Sequence, residues 1–123
     1  MIKISVLVVE DSFYSADLNI RELKKAGYTV HYQMVSSEQS MKKALKESKW
    51  DLIVSDNSMP NFSALKALEV RNCMGMNIPF IIVSEDISQH DIDKSFEEGC
   101  CAYIAKEDLT DLRNIAADVL KMK

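Results

Sequence analysis

The chain has 123 residues, 47% of them apolar and 28% charged, and carries a net charge of −4. That length suits a single domain that buries roughly two-thirds of the surface of its unfolded chain and needs no disulfide or metal to fold. The negative balance speaks against direct nucleic-acid binding and against an anionic membrane surface, since both require a basic face, and no segment reaches the ~18 apolar residues of a membrane span.

The first apolar run, Ile4–Val9, stops at Glu10-Asp11 without a small-residue cleavage site. It therefore reads as a strand, not a signal peptide. Phe13, Ala16, Ile20, Leu23 and Ala26 then recur at helical spacing until Gly27, with Leu18 off the stripe. Tyr28–Val35 alternates through His31 and Gln33, as an edge strand can. Ser37 is a candidate cap for a helix that carries Met41, Ala44 and Leu45. The run Asp51–Ser55 is followed by a helix with Leu65 and Leu68. Next come the run Pro79–Ser84, a helix with Ile92 and Phe96 stopped by Gly99, and the run Cys101–Ala105. Leu109, Leu112, Ile115, Ala116, Val119 and Leu120 mark the last helix. Five strands alternating with five helices predict an α/β fold with a parallel sheet covered on both faces. No repeat, low-complexity tract or linker interrupts the pattern, so residues 1–123 read as one domain.

Cys73, Cys100 and Cys101 have no metal-ligand spacing and form a poor disulfide framework. They read as small buried hydrophobes of a reducing, cytoplasmic protein. His31 and His90 read as surface residues, Trp50 as packing against a loop, Met59 as turn packing, and Lys42, Lys43, Lys46 and Lys49 as a solvated helix surface.

In open parallel α/β sheets, ligands bind beyond the carboxyl ends of the strands. There the sequence places Glu10 and Asp11 after the first strand, Asp56 after the third, Ser84 at the end of the fourth and Lys106 after the fifth. Clustered carboxylates repel one another unless a cation neutralises them, and Mg²⁺ favours oxygen ligands of this kind. One carboxylate can then be a nucleophile toward a phosphoryl group, with the metal and Lys106 facing its charge and Ser84 donating a hydrogen bond. Each residue alone has a plainer reading: acids favour helix N-termini, Asp56 suits a turn, and Lys106 could be solvated. The joint pattern at four strand ends favours a site.

The stretches Val8-Val9-Glu10-Asp11, Trp50 through Asp56 with Met59-Pro60, Pro79 through Ser84, and Gly99 through Tyr103 to Lys106 resemble a response-regulator receiver domain of two-component signal transduction over essentially the whole chain. The resemblance implies a flavodoxin-like (βα)5 doubly wound sandwich with strand order 2-1-3-4-5. It makes Asp56 the phosphoacceptor and Lys106 its partner, with Mg²⁺ (or Mn²⁺) held by Asp11, by Glu10 through water, by Asp56 and by the Ser58 carbonyl. Ser84 and Tyr103 would be the switch pair, and Asn57, Glu85 and Asp86 would form the rim. The implied donor is a phosphohistidine on a sensor kinase or phosphotransfer protein. Output would pass to a domain or partner through the face of the fourth helix, fifth strand and fifth helix, a homodimer being one such assembly. The domain would assist its own phosphorylation and dephosphorylation without being a conventional enzyme.

Three positions depart from the family pattern: Glu85 where a small residue is usual, Ala64 where glycine is usual, and Glu107 where proline is usual. The first places an acid near the phosphodonor's path. The second requires the turn to avoid positive φ at Ala64. The third favours a trans Lys106–Glu107 bond, because cis without proline costs ~2.5–4 kcal/mol. The main rival is a phosphorylation-independent pseudo-receiver that serves as an interaction module. An aspartyl-intermediate phosphohydrolase lacks its two-residue acid spacing at Glu10-Asp11, and Asp11-Ser12-Phe13-Tyr14 is no flavin phosphate loop.

Overall fold

A computed structural model describes residues 2–121. The strands are β1 (Ile2–Val9), β2 (Tyr28–Val35), β3 (Leu52–Ser55), β4 (Phe80–Ser84) and β5 (Ala102–Ala105). They alternate with helices α1 (Phe13–Lys25), α2 (Glu38–Glu47), α3 (Ala64–Cys73), α4 (Gln89–Glu97) and α5 (Asp111–Lys121). All pairings are parallel, in the order β2-β1-β3-β4-β5. This is the expected doubly wound sandwich, with β2 at one edge. Among the described residues no helix is long and apolar enough to cross a membrane.

Alternation along β1 shows why both faces must be covered. Leu7 and Val9 join a core with Met41, Leu45, Phe62 and Leu68 of the α2–α3 side. Ile4, Val6 and Val8 join another with Ile20, Leu23, Leu112 and Ala116 from α1 and α5. Successive strand side chains point to opposite faces, so a wholly apolar strand needs helices on both. An ion pair crosses the second layer: Arg113 Nε donates to Glu22 Oε2 at 2.6 Å and holds the Glu22 carboxyl below the usual carboxylate range. Periodicity could not reveal this pair, because its partners are 91 positions apart.

The caps follow local chemistry. The expected cap Ser37 forms a reciprocal box with Ser40 at the start of α2. At α3 the left-handed residue is Asn61 (φ 62°), a type that tolerates this conformation. Ala64 is instead the first, buried residue of the helix, so the turn meets the requirement set by the missing glycine. Gly99 (φ 106°) closes the α4–β5 turn, and a Cβ there would stand 2.6 Å from the guanidinium of buried Arg71. No cis peptide occurs among the described residues, so Lys106–Glu107 is trans and continues into a 3-10 turn over Lys106–Asp108.

Several expectations need correction. Phe13 lies in the first turn of α1, beyond the sheet's carboxyl edge, and is 81% exposed; Ala26 is an exposed C-cap. Phe96 is 46% exposed and Ile92 half-buried, and Ser95 is the buried residue of α4. Only Cys100 of the three cysteines is buried, its thiol donating to the Ala102 carbonyl at 3.1 Å. Its neighbour Cys101, just before β5, is exposed, and Cys73 ends α3 in solvent. Trp50 packs against α2 in place of a loop: its indole N–H donates to the Ala44 carbonyl at 2.9 Å, and exposed His31 stacks on it. Met59 is buried in the turn, His90 is exposed, and the four lysines lie on the solvent side, as expected.

Candidate functional site

Four strand ends build one cluster. Beyond β1, the Glu10 N–H donates to the Val35 carbonyl at 2.9 Å, which extends the β1–β2 ladder by one residue. Its side chain turns back, so that Oε1 accepts from the N–H groups of Asp11 and Ser12, both at 3.1 Å. Glu10 is 2% exposed, and its Oε2 is buried without a hydrogen-bond partner. Burial first, and then the charge of Asp56, push the Glu10 carboxyl up to about 7; the Ser12 N–H, Lys106 and the Asp11 N–H oppose the shift.

Beyond β3, the Asp56 N–H donates to the Val9 carbonyl at 2.9 Å, which fixes this residue beside β1. Its side chain is 5% exposed, and Oδ1 is buried with no hydrogen-bond partner. Lys106 Nζ, at the end of β5, lies 3.7 Å from that oxygen. The fourth strand contributes Ser84, fully buried, whose Oγ accepts from the Asp86 N–H at 3.3 Å. Half-buried Tyr103 packs against the α2–α3 core and donates its hydroxyl to the Ser84 carbonyl at 3.1 Å. Asn57 uses both ends of its amide: Nδ2 donates to the Asp86 carbonyl and Oδ1 accepts from the Ala64 N–H, each at 3.0 Å.

The structure therefore brings Glu10, Asp56 and Lys106 together and links Ser84 to Tyr103. Asp11, Ser58, Glu85 and Asp86 are exposed around them. Two buried, unpartnered carboxylate oxygens suit a hard cation. Among the described residues, however, no three acidic, histidine or cysteine side chains stand close enough to form a ready-made metal cluster. The two hydrogen bonds of the Asn57 amide were not legible in the sequence, where Asn57 reads only as a rim residue after Asp56.

A parallel five-stranded sheet with acids, a hydroxyl and a lysine at its carboxyl edge is the architecture of receiver domains. The family profile described as "Response regulator receiver domain" matches residues 6–117, and the chain belongs to that family, a signalling module of two-component response regulators. It is similar to the two-component response regulator ORR26 of Oryza sativa subsp. japonica, 29% identical over 119 residues that make up 96% of this chain and 20% of that protein. The chain thus spans about a fifth of the length of that relative. The fold is shared with the receiver domain of a putative Luxo repressor protein from Vibrio parahaemolyticus (TM-score 0.84, 24% identity, 98% of this chain and 92% of that one). It is also shared with the receiver domain of the sensor histidine kinase PA1611 from Pseudomonas aeruginosa PAO1, solved with magnesium in its active-site cleft (TM-score 0.77, 20% identity, 97% and 98% covered).

Proposed function

We propose that this domain accepts a phosphoryl group on Asp56 from a phosphohistidine of a sensor kinase or phosphotransfer protein, in a Mg²⁺-dependent reaction, and thereby controls an output domain or partner. The observation that carries this reading is the Asp56 carboxylate: buried, with Oδ1 free of hydrogen bonds and a lysine ammonium 3.7 Å away. A carboxylate oxygen of Asp56 attacks phosphorus. The new O–P bond forms as the P–N bond breaks, and the imidazole nitrogen leaves with the electron pair. Lys106 faces the charge on the transferring oxygens. Ser84 uses its Oγ as an acceptor toward Asp86, so its hydroxyl proton remains available to donate to a phosphoryl oxygen. Glu10, Asp11, Asp56 and the Ser58 carbonyl are the groups that would hold Mg²⁺ (or Mn²⁺). When bound, the ion supplies positive charge against the phosphoryl oxygens and the neighbouring acids. The link between Ser84 and Tyr103 favours a switch that reads out toward β5 and its flanking helices α4 and α5.

Incubation with acetyl phosphate or phosphoramidate and Mg²⁺ tests the reading. Intact-mass spectrometry is expected to show one added phosphate, absent without Mg²⁺ and absent in Asp56→Asn. An unmodified wild type after long incubation with both donors would favour the pseudo-receiver.

A further inference from the structure

We infer that Asn57 is a positioning residue that staples the phosphoacceptor loop to the β4–α4 loop and restrains the switch in its resting arrangement. This rests on the phosphoacceptor reading for the switch, but the staple itself stands on hydrogen bonds alone. The peptide groups of Asp86 are gripped from two sides: Ser84 Oγ accepts from its N–H, and Asn57 Nδ2 donates to its carbonyl. The other end of the Asn57 amide is anchored at the Ala64 N–H, on the first residue of α3. A single side chain next in sequence to Asp56 therefore ties α3 to the loop that leads into α4.

The arrangement has a mechanical consequence. A shift of the Ser84 hydroxyl toward a phosphoryl oxygen releases the Asp86 N–H, and Asn57 is then the remaining side-chain tether on that peptide. The geometry is specific to an amide, since only one end donates and the other accepts. Aspartate keeps the acceptor for Ala64 but opposes a carboxylate to the Asp86 carbonyl. Alanine loses both bonds. One hydrogen bond lost from the resting state corresponds to about a five-fold shift toward the released state.

Hydrogen exchange of residues 85–95 in the unphosphorylated protein reads the staple directly. Asn57→Ala and Asn57→Asp are both expected to speed exchange there about five-fold while exchange in β1 and α5 stays unchanged. If Asn57→Asp exchanges like wild type, the donor bond holds nothing and the inference is overturned, even if Asn57→Ala exchanges faster through loss of the α3 contact. Coupling to the switch is read from the phosphorylation rate with phosphoramidate. Asn57→Ala is expected to speed it about five-fold in the wild-type background and far less in Ser84→Ala, which has no hydroxyl to shift toward a phosphoryl oxygen. Equal effects in both backgrounds would make Asn57 a structural support with no link to the switch. A wild type that takes no phosphate defeats the phosphoacceptor reading, and the exchange experiment then decides the staple by itself. Circular dichroism and melting curves exclude a variant that has failed to fold.

Discussion

Lys106 Nζ and Asp56 Oδ1 are 3.7 Å apart, within reach of charge but beyond a hydrogen bond, so the buried aspartate oxygen has a cation beside it and no proton donor on it. Lys106→Ala is expected to keep the fold, since Lys106 lies partly exposed in the 3-10 turn. It should slow phosphorylation of Asp56 by small donors at least ten-fold, the equivalent of ~1.4 kcal/mol of transition-state stabilisation. The time course of intact mass measures it, and a wild-type rate would remove Lys106 from the chemistry.

Mg²⁺ is expected to raise the melting temperature of the wild type by mass action and to leave Asp11→Ala unmoved. Without metal, Asp11→Ala should melt at or above the wild-type temperature, because one acid fewer repels Glu10 and Asp56. Equal metal-induced shifts in the two proteins would place the ion elsewhere.

The raised Glu10 carboxyl has a pH signature in metal-free protein. Below about pH 4.5 the group is protonated in both the folded and unfolded chains and costs nothing. Between about 4.5 and 7 the unfolded chain loses its proton first, so stability falls as pH rises, and above 7 the loss is complete. The loss is on the order of a few kcal/mol. Denaturant unfolding in EDTA at pH 5 and pH 8 should show a larger drop for wild type than for Glu10→Gln. Parallel drops would mean that Glu10 titrates normally.

Glu85 follows Ser84 directly and is exposed. A unit charge ~6 Å from an anionic donor interacts by a few kcal/mol at an effective dielectric near 20 and by under ~1 kcal/mol in water. Exposure favours the weaker end, with screening by salt. Glu85→Ala should phosphorylate faster with small anionic donors, the gain shrinking as salt rises, and Glu85→Gln should recover the electrostatic share. Gln matching Glu while Ala is faster would make the effect steric. One rate for all three across salt would show that the side chain does not act on the donor.

Much of this protein was determined by its sequence. Alternating apolar strands and amphipathic helices dictate a sheet covered on both sides, and the polar residues that end Ile2–Val9, Leu52–Ser55, Phe80–Ser84 and Ala102–Ala105 lie at one edge because parallel strands share a direction. Ser37 and Gly99 were legible as helix punctuation, since capping and positive φ are local properties of residue type. The tertiary structure decided what depends on distant neighbours. Helical spacing put Phe13 and Phe96 on apolar stripes, but no layer covers them and both are exposed. Cys100 and Cys101 read alike in the sequence, and only packing buried the first in the core and left the second exposed. Glu10 could be read as an acid after a strand; that one of its oxygens is buried and unpartnered follows from the Asp11 and Ser12 amides taking the other. Asn57 is an ordinary polar residue until β4 brings the Asp86 carbonyl to its amide, 29 positions along the chain, because a side-chain hydrogen bond is set by distance and angle in space and leaves no period in the sequence.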